Sequence, residues 1–249
     1  GHLACGVNGS GRLPEPEDIK AFLDAFLASR EGDLRGLRIL VTAGGTREAI
    51  DPVRFIGNRS SGKMGYAIAR DAARRGAEVT LISGPTALPV PRNVVFQDVE
   101  TTREMMDAVL AAYPAVDVVI MAAAVADYRP HHAEAQKIKK NDETLTIALD
   151  KNPDILKQLG QEKKRQFLVG FAAETQHLLE NAAAKVKKKN LDMIVANDVT
   201  MKGAGFSTDT NVVKLLFPSG EIRSLELMSK EEVGNHILDI VRDAVKGTR

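Results

Sequence analysis

A chain of 249 residues with 44% hydrophobic and 27% charged residues can build one sizeable core, or one core with a small appendage. Its formal net charge of +1 offers no electrostatic footprint for nucleic acid, and a lone cysteine, Cys5, excludes an internal disulfide framework and suits a reducing cytoplasm. No apolar run approaches the roughly 20 residues of a membrane span, Gly1-His2-Leu3 does not open a signal peptide, and the missing initiator methionine suggests a processed or excised chain.

Residues 1–13 are glycine-rich and cannot build a helix alone. Pro14 to Asp18 then mark a helix start, with Ile19, Phe22, Leu23, Phe26 and Leu27 at helical spacing, so 1–36 reads as the last helix of something larger, or a docking helix, joined to the main domain through Arg30 to Gly36. From Leu37 the pattern alternates. Arg38 to Thr42, Glu78 to Ser83, Val94 to Val99 and Val116 to Ala122 read as strands, with helices over Met64 to Arg75 and Thr102 to Tyr113. Later strands are expected at Leu145 to Leu149, Phe167 to Phe171 and Met193 to Ala196. Later helices are expected from Asn152-Pro153-Asp154, from Leu178 to Lys189 and from Lys230 to Val245, and a hairpin over Val212 to Phe217 and Ile222 to Leu227. Apolar strand runs joined by helices predict an α/β fold: a Rossmann-like, doubly wound, mainly parallel sheet with an added hairpin, binding ligands at the strands' carboxyl ends.

The stretch Ile39 to Gly65 concentrates the chemistry. Its loop is longer than an ordinary strand-to-helix connection of about 2–6 residues, which points to function. Ser60, Ser61 and Gly62 offer hydroxyls and backbone N–H groups at a helix N-terminus, where an anion is favoured, and Arg59 and Lys63 add positive charge. The spacing is neither a phosphate loop nor G-x-G-x-x-G, and the second strand ends in Ser83-Gly84-Pro85 without a ribose-binding acid, which argues against NAD or NADP.

AAAVADYRP follows the central strand. Its Ala122 to Ala124 let a base or ribose lie on the backbone, and Asp127 either binds a nucleotide hydroxyl or a phosphate-borne metal, or caps a nearby turn. Lys137, Ile138, Lys139 and Lys140 form a polar loop that is either solvated surface or, with Arg59, Lys63, Lys185 and Lys189, part of a rim neutralising a triphosphate. Lys185 and Lys189 are equally compatible with the polar face of a helix, and Phe171 with either a nucleobase contact or core packing.

Together GGTREAIDPVRFIGNRSSGKMG, AAAVADYRP with KIKK, KNPDI, GFAAET and NLDMIVAND stand in the order found in bacterial phosphopantothenoylcysteine synthetase, which residues 37–249 resemble. LACGVNGSGRLPEPEDI is similar to the tail of the flavin-dependent decarboxylase fused ahead of that synthetase, and Cys5 matches that enzyme's catalytic cysteine. Without the flavin-binding body, neither decarboxylation nor flavin is expected in this fragment. The resemblance implies a cytoplasmic, homodimeric, Mg²⁺-dependent ligase that uses CTP to activate 4'-phosphopantothenate as an acyl-cytidylate, then joins it to L-cysteine. It implies that Asn58 acts on the acyl-cytidylate, that Arg54 holds the phosphopantothenate end, and that Lys137 opens a K-x-K-K flap. Met121 (through its backbone), Asp127, Lys151, Asn152, Pro153, Phe171, Lys185 and Lys189 carry over as nucleotide contacts. The region around Leu145 and residues 212–227 are candidate pairing elements. Two other readings stand beside this one: an NADP-dependent reductase using Gly44-Gly45, and a non-catalytic assembly module.

Overall fold

The computed structural model describes residues 15–17, 19–20, 23, 32–139, 144–174, 178–198, 205 and 208–247. The helix expected after Pro14 lies outside them except for helical backbone at 16–17, 19–20 and 23, and Lys140 lies outside as well.

Strands β1 (Arg38–Ala43), β4 (Glu78–Ser83), β5 (Val94–Asp98), β6 (Val118–Met121), β9 (Phe167–Glu174) and β10 (Met193–Asp198) form the parallel part of the sheet. The antiparallel strands β11 (Thr210–Leu216) and β12 (Ile222–Ser229) complete it, giving the order β12-β11-β10-β9-β6-β1-β4-β5. The chain runs outward from β1 to β5, returns to β6 on β1's other side, and continues the opposite way. That reversal opens a crevice past the carboxyl ends of β1 and β6, the place where such sheets take ligands.

The apolar residues divide between the two faces. Ile39, Val41 and Val195 pack with Ile68 and Ala72 of α1 (Lys63–Arg74) and with Val233, Ile237 and Val241 of α5 (Lys230–Lys246). On the opposite face, Leu40, Ile82 and Val119 pack with α2 (Thr102–Ala112), α3 (Ile155–Glu162) and α4 (Leu178–Lys188), through side chains such as Met105, Leu159 and Val186. Burying both faces is what makes the central strands continuous apolar runs in sequence. Capping boxes start α2 and α5, at Thr101 with Glu104 and at Ser229 with Glu232. No described helix is long and apolar enough to cross a membrane.

Two expectations are corrected. The long loop after β1 is not without secondary structure: β2 (Arg47–Ala49) and β3 (Phe55–Gly57) pair antiparallel inside it. The strand expected over Leu145 to Leu149 begins only where it was expected to end, as β8 (Leu149–Lys151) paired with β7 (Tyr128–Pro130). Alternation at 145–149 fails as a guide because Leu145 and Leu149 are both exposed, so the alternating apolar residues do not mark a buried face.

The amino ends of the strands are closed by charge. Buried Asp117, just before β6, accepts from the Arg38 backbone N–H at 3.0 Å, Nε at 3.1 Å and Nη2 at 3.1 Å, and from Arg165. Burial pushes its carboxyl upward, but the hydrogen bonds from Arg38 and Arg165 outweigh that and hold it well below the usual carboxylate range.

Candidate functional site

A cleft of about 510 Å³ opens at the reversal point. One wall is the start of α1, with Asn58 to Lys63. The other is the loop after β6, from Ala122 to Val125 with Asp127. Phe171, Lys185, Asn197 and Lys230 complete it from the remaining elements.

The α1 wall depends on glycine. Gly62 sits at φ 75°, a left-handed turn at the N-cap that costs a residue with a Cβ, and it leaves the helix without a side-chain cap. Three residues on, a Cβ at Gly65 would come within 2.6 Å of the Ala43 Cβ and 2.7 Å of the Thr42 carbonyl. Its absence lets the first turn of α1 sit directly on the end of β1. The first turn of α1 also carries no acidic residue, so the positive end of its dipole, which borders the cleft, is not offset from within the helix.

The opposing loop is held by a buried polar network that the sequence did not reveal. Ala123 N–H donates to Thr42 Oγ1 at 3.2 Å, Ala124 N–H to the Gly44 carbonyl at 2.8 Å, and Ala126 N–H to Thr46 Oγ1 at 2.9 Å. Thr46 Oγ1 and Thr102 Oγ1 lie 3.1 Å apart, and Glu48 accepts the Thr102 N–H at 2.9 Å. Asn152 enters the same network: its Nδ2 donates to the Ala126 carbonyl at 2.9 Å and to Thr102 Oγ1 at 3.2 Å, and its Oδ1 accepts from Arg129. Thr46 and Glu48 stand two residues apart at the start of one arm, but Thr102 lies more than 50 residues on at the start of α2, so no local spacing links it to them.

Several sequence-predicted residues do meet. Ser60, Ser61, Gly62, Lys63, Asp127, Phe171 and Lys185 line the cleft, with Arg59. Asn58 spans its mouth, donating from Nδ2 to the Val125 carbonyl at 2.8 Å. Lys63 Nζ is 2.6 Å from Asp209, whose carboxyl that contact holds below its usual range.

Others are placed differently. Asn152 is 6% exposed, with its amide committed to the loop, so its side chain positions that loop rather than facing the cleft. Lys189 Nζ pairs at 2.9 Å with Asp154, the N-cap of α3. Arg54 donates to Asp51 and to the Ile138 carbonyl. Met121, Lys151, Pro153 and Lys137, Ile138 and Lys139 do not line the cleft; Met121 accepts the Thr42 hydroxyl on its sulfur at 3.8 Å, and Lys137 and Lys139 are exposed.

Two further cleft residues had not been singled out. Lys230, 6% exposed at the start of α5, donates to the carbonyls of Gly205 at 2.9 Å and Thr208 at 2.6 Å. Burial, with Lys63 nearby, lowers its pKa despite Asp209. Asn197 buries an Oδ1 that has no hydrogen-bond partner among the described residues.

Among the described residues no cluster of His, Cys, Asp or Glu could by itself hold a metal ion. Among the described residues lining the cleft, Asp127 is the one carboxylate, and Arg59, Lys63, Lys185 and Lys230 line the same cleft. That donor set fits an anion, and a hard cation carried by the anion's own oxygens, better than a resident metal.

Residues 34–245 match the family described as the DNA/pantothenate metabolism flavoprotein C-terminal domain. The chain is 49% identical, over all of its length, to the coenzyme A biosynthesis bifunctional protein CoaBC of Bacillus subtilis, and spans 62% of that relative. It is similar to the crystal structure of the C-terminal domain of a CoaBC protein, at 46% identity and a TM-score of 0.75, over 87% of this chain and 99% of that one. A Cab2 variant in complex with phosphopantothenate-cysteine shares the fold, with a TM-score of 0.70 and 18% identity, over 94% of this chain and 96% of that one.

Proposed function

This chain belongs to the DNA/pantothenate metabolism flavoprotein C-terminal domain family, and from that membership we propose that it is the ligase joining 4'-phosphopantothenate to L-cysteine in coenzyme A biosynthesis. CTP activates the acid. A carboxylate oxygen of phosphopantothenate attacks the α-phosphorus and pyrophosphate leaves. The cysteine amine then attacks the acyl carbon, CMP departs with the bonding electrons, and the amine's proton is released as the amide forms. Two such steps depend on alignment and on compensation of phosphate charge.

One observation carries this reading: Asn58 bridges to Val125 across a cleft that has an uncapped helix start on one side and the AAAVAD loop on the other. Ser60, Ser61, Gly62 and Lys63 receive phosphate oxygens. Lys185 adds charge, and Phe171 packs against the base or ribose. The Asn58 amide exchanges its Val125 contact for the acyl oxygen as that oxygen becomes tetrahedral. Asp127 would be the protein carboxylate holding a Mg²⁺ borne by the triphosphate, and that ion would supply neutralisation of phosphate charge. Lys137 and its neighbours close over the intermediate and keep water from it.

The working form is a cytoplasmic homodimer, with residues 1–36 the tail of a decarboxylase that precedes the synthetase, and no flavin in this fragment. Exposed Val53, Phe55, Tyr128, Leu145 and Leu149 on or beside the two small β-arms, and Ile222 and Leu227 on β12, support pairing through one of those regions.

The test is pyrophosphate release with CTP, Mg²⁺ and 4'-phosphopantothenate, with and without cysteine, and again with ATP. CTP-selective release with full turnover only when cysteine is present supports the ligase. A folded chain that releases nothing with either nucleotide removes it, and saturable NADPH binding without a response to CTP replaces it with a reductase.

A further inference from the structure

The turn between β2 and β3 is built on Asp51, whose side chain is fully buried and whose two carboxylate oxygens have different tasks. Oδ1 accepts the backbone N–H groups of Val53 at 2.8 Å and Arg54 at 2.9 Å and closes the turn. Oδ2 faces away from it, toward Arg54 Nε at 2.9 Å, Arg54 Nη2 at 2.5 Å and the backbone N–H of Ile138 at 3.2 Å.

The same Arg54 Nη2 donates to the Ile138 carbonyl at 3.1 Å. Both backbone polar groups of Ile138 are therefore held by one ion pair more than 80 residues away in sequence. A further bond, Glu134 N–H to the Ile50 carbonyl at 2.9 Å, ties the preceding loop to the same turn. The Arg54 guanidinium, with backbone N–H groups, holds the Asp51 carboxyl well below its usual range against the effect of burial, so the clamp is ionised at any working pH. Arg54 leads directly into β3, and β3 ends one residue before Asn58. A single short arm thus carries the clamp at one end and Asn58 at the other.

We propose that Asp51 is the positioning residue for Lys137: by fixing Ile138 to the arm that carries Asn58, it sets the backbone of the basic loop relative to the cleft. The inference rests on the ligase reading for what Lys137 does there, and on geometry alone for how it is held. It also gives Arg54 a second partner besides any substrate. Sequence spacing could not show this, because Asp51 looks like an ordinary turn former next to a proline.

The two oxygens make the proposal separable from turn capping. Asp51→Asn keeps an Oδ1 acceptor for Val53 and Arg54 but puts an NH₂ donor against the guanidinium and the Ile138 N–H, so the turn survives while the clamp opens. In the full 249-residue chain, D51N is expected to speed amide hydrogen exchange at Ile138 by about tenfold or more, with Val53 and Arg54 still protected. It is expected to lower kcat about tenfold beside a native Lys137 but less than about twofold in a K137Q background. Losses that multiply in the D51N/K137Q double variant, or unchanged exchange at Ile138, overturn the proposal. If D51N does not fold, Arg54→Lys serves instead: it keeps the charge but loses the fork that reaches the Ile138 carbonyl, leaving Ile138 held through its N–H alone, so a smaller rise in exchange at Ile138 is expected, and no rise overturns the proposal. An unaltered chain with no CTP-dependent turnover would sink the ligase reading, while the exchange comparison would still decide whether Asp51 holds Ile138.

Discussion

At the amino ends of the strands, Asp117 gathers Arg38 and Arg165 into a closed ion cluster. At the carboxyl ends, Arg59, Lys63, Lys185 and Lys230 line a cleft that holds, among the described residues, one carboxylate, Asp127. The amino-end charges satisfy each other and the Arg38 backbone, so they contribute to stability and have nothing left to offer a ligand. At the carboxyl end, burial, and after it the charge on Lys63, lowers the pKa of Lys230. On the ligase reading, the polyanion would pair with these cations. The same fold thus separates a stabilising end from a binding end, and substitutions at the two ends should change different observables.

The largest effect is expected at the binding end. Asn58→Asp replaces the donor at the cleft mouth with a carboxylate; pyrophosphate release should continue while transfer to cysteine slows by about 10²–10³ in kcat, with the acyl-cytidylate accumulating and the melting temperature little changed. Quench-flow detection of the intermediate checks this, and unimpaired turnover would remove Asn58 from the chemistry.

At the stabilising end, Asp117→Ala leaves the Arg38 backbone N–H and two guanidinium groups without their acceptor. A loss of about 2–3 kcal/mol in denaturant unfolding is expected, with KM for CTP unchanged in the folded fraction. A shift in KM comparable to the stability loss would show that the two ends are not separable.

Acid sharpens the same contrast. A carboxyl whose folded pKa is held down, as at Asp117, contributes stability that is fully present above the unfolded value of about 3.9 and is lost as pH falls below it toward the folded value. Melting temperature against pH should therefore fall on the acid side of about 4, with a shallower slope in Asp117→Asn. Equal slopes would assign the acid sensitivity to other groups.

The smallest expected effects separate two lysines on one helix and its end. Lys185→Ala should raise KM for CTP about tenfold, because its charge faces the cleft. Lys189→Ala should raise it about threefold or less and mainly loosen the start of α3, because its ammonium is already paired with Asp154. Equal effects from the two would place Lys189 at the nucleotide after all.

The arms and the loop-holding network separate what could be read in the sequence from what could not. Strands of three residues, such as β2, β3, β7 and β8, are too short for an alternating pattern to emerge, so the arms that carry Arg54 and Asn58 looked like loop. Asn152 was singled out with the right segment but the wrong orientation, since only the packed fold turns its amide onto Ala126 and Thr102.

The sequence by itself determined the alternation of elements, the doubly wound sheet and the segments that surround the cleft. Apolar periodicity, helix caps and glycine punctuation act between near neighbours and are written locally. Only the tertiary structure decided that Lys185 faces the cleft while Lys189 pairs with Asp154, that Thr46, Glu48 and Thr102 hold the loop after β6, and that Asp51 reaches Ile138. Those are contacts between residues far apart in the chain, and their partners are set by the order in which the strands lie in the sheet rather than by any spacing along it.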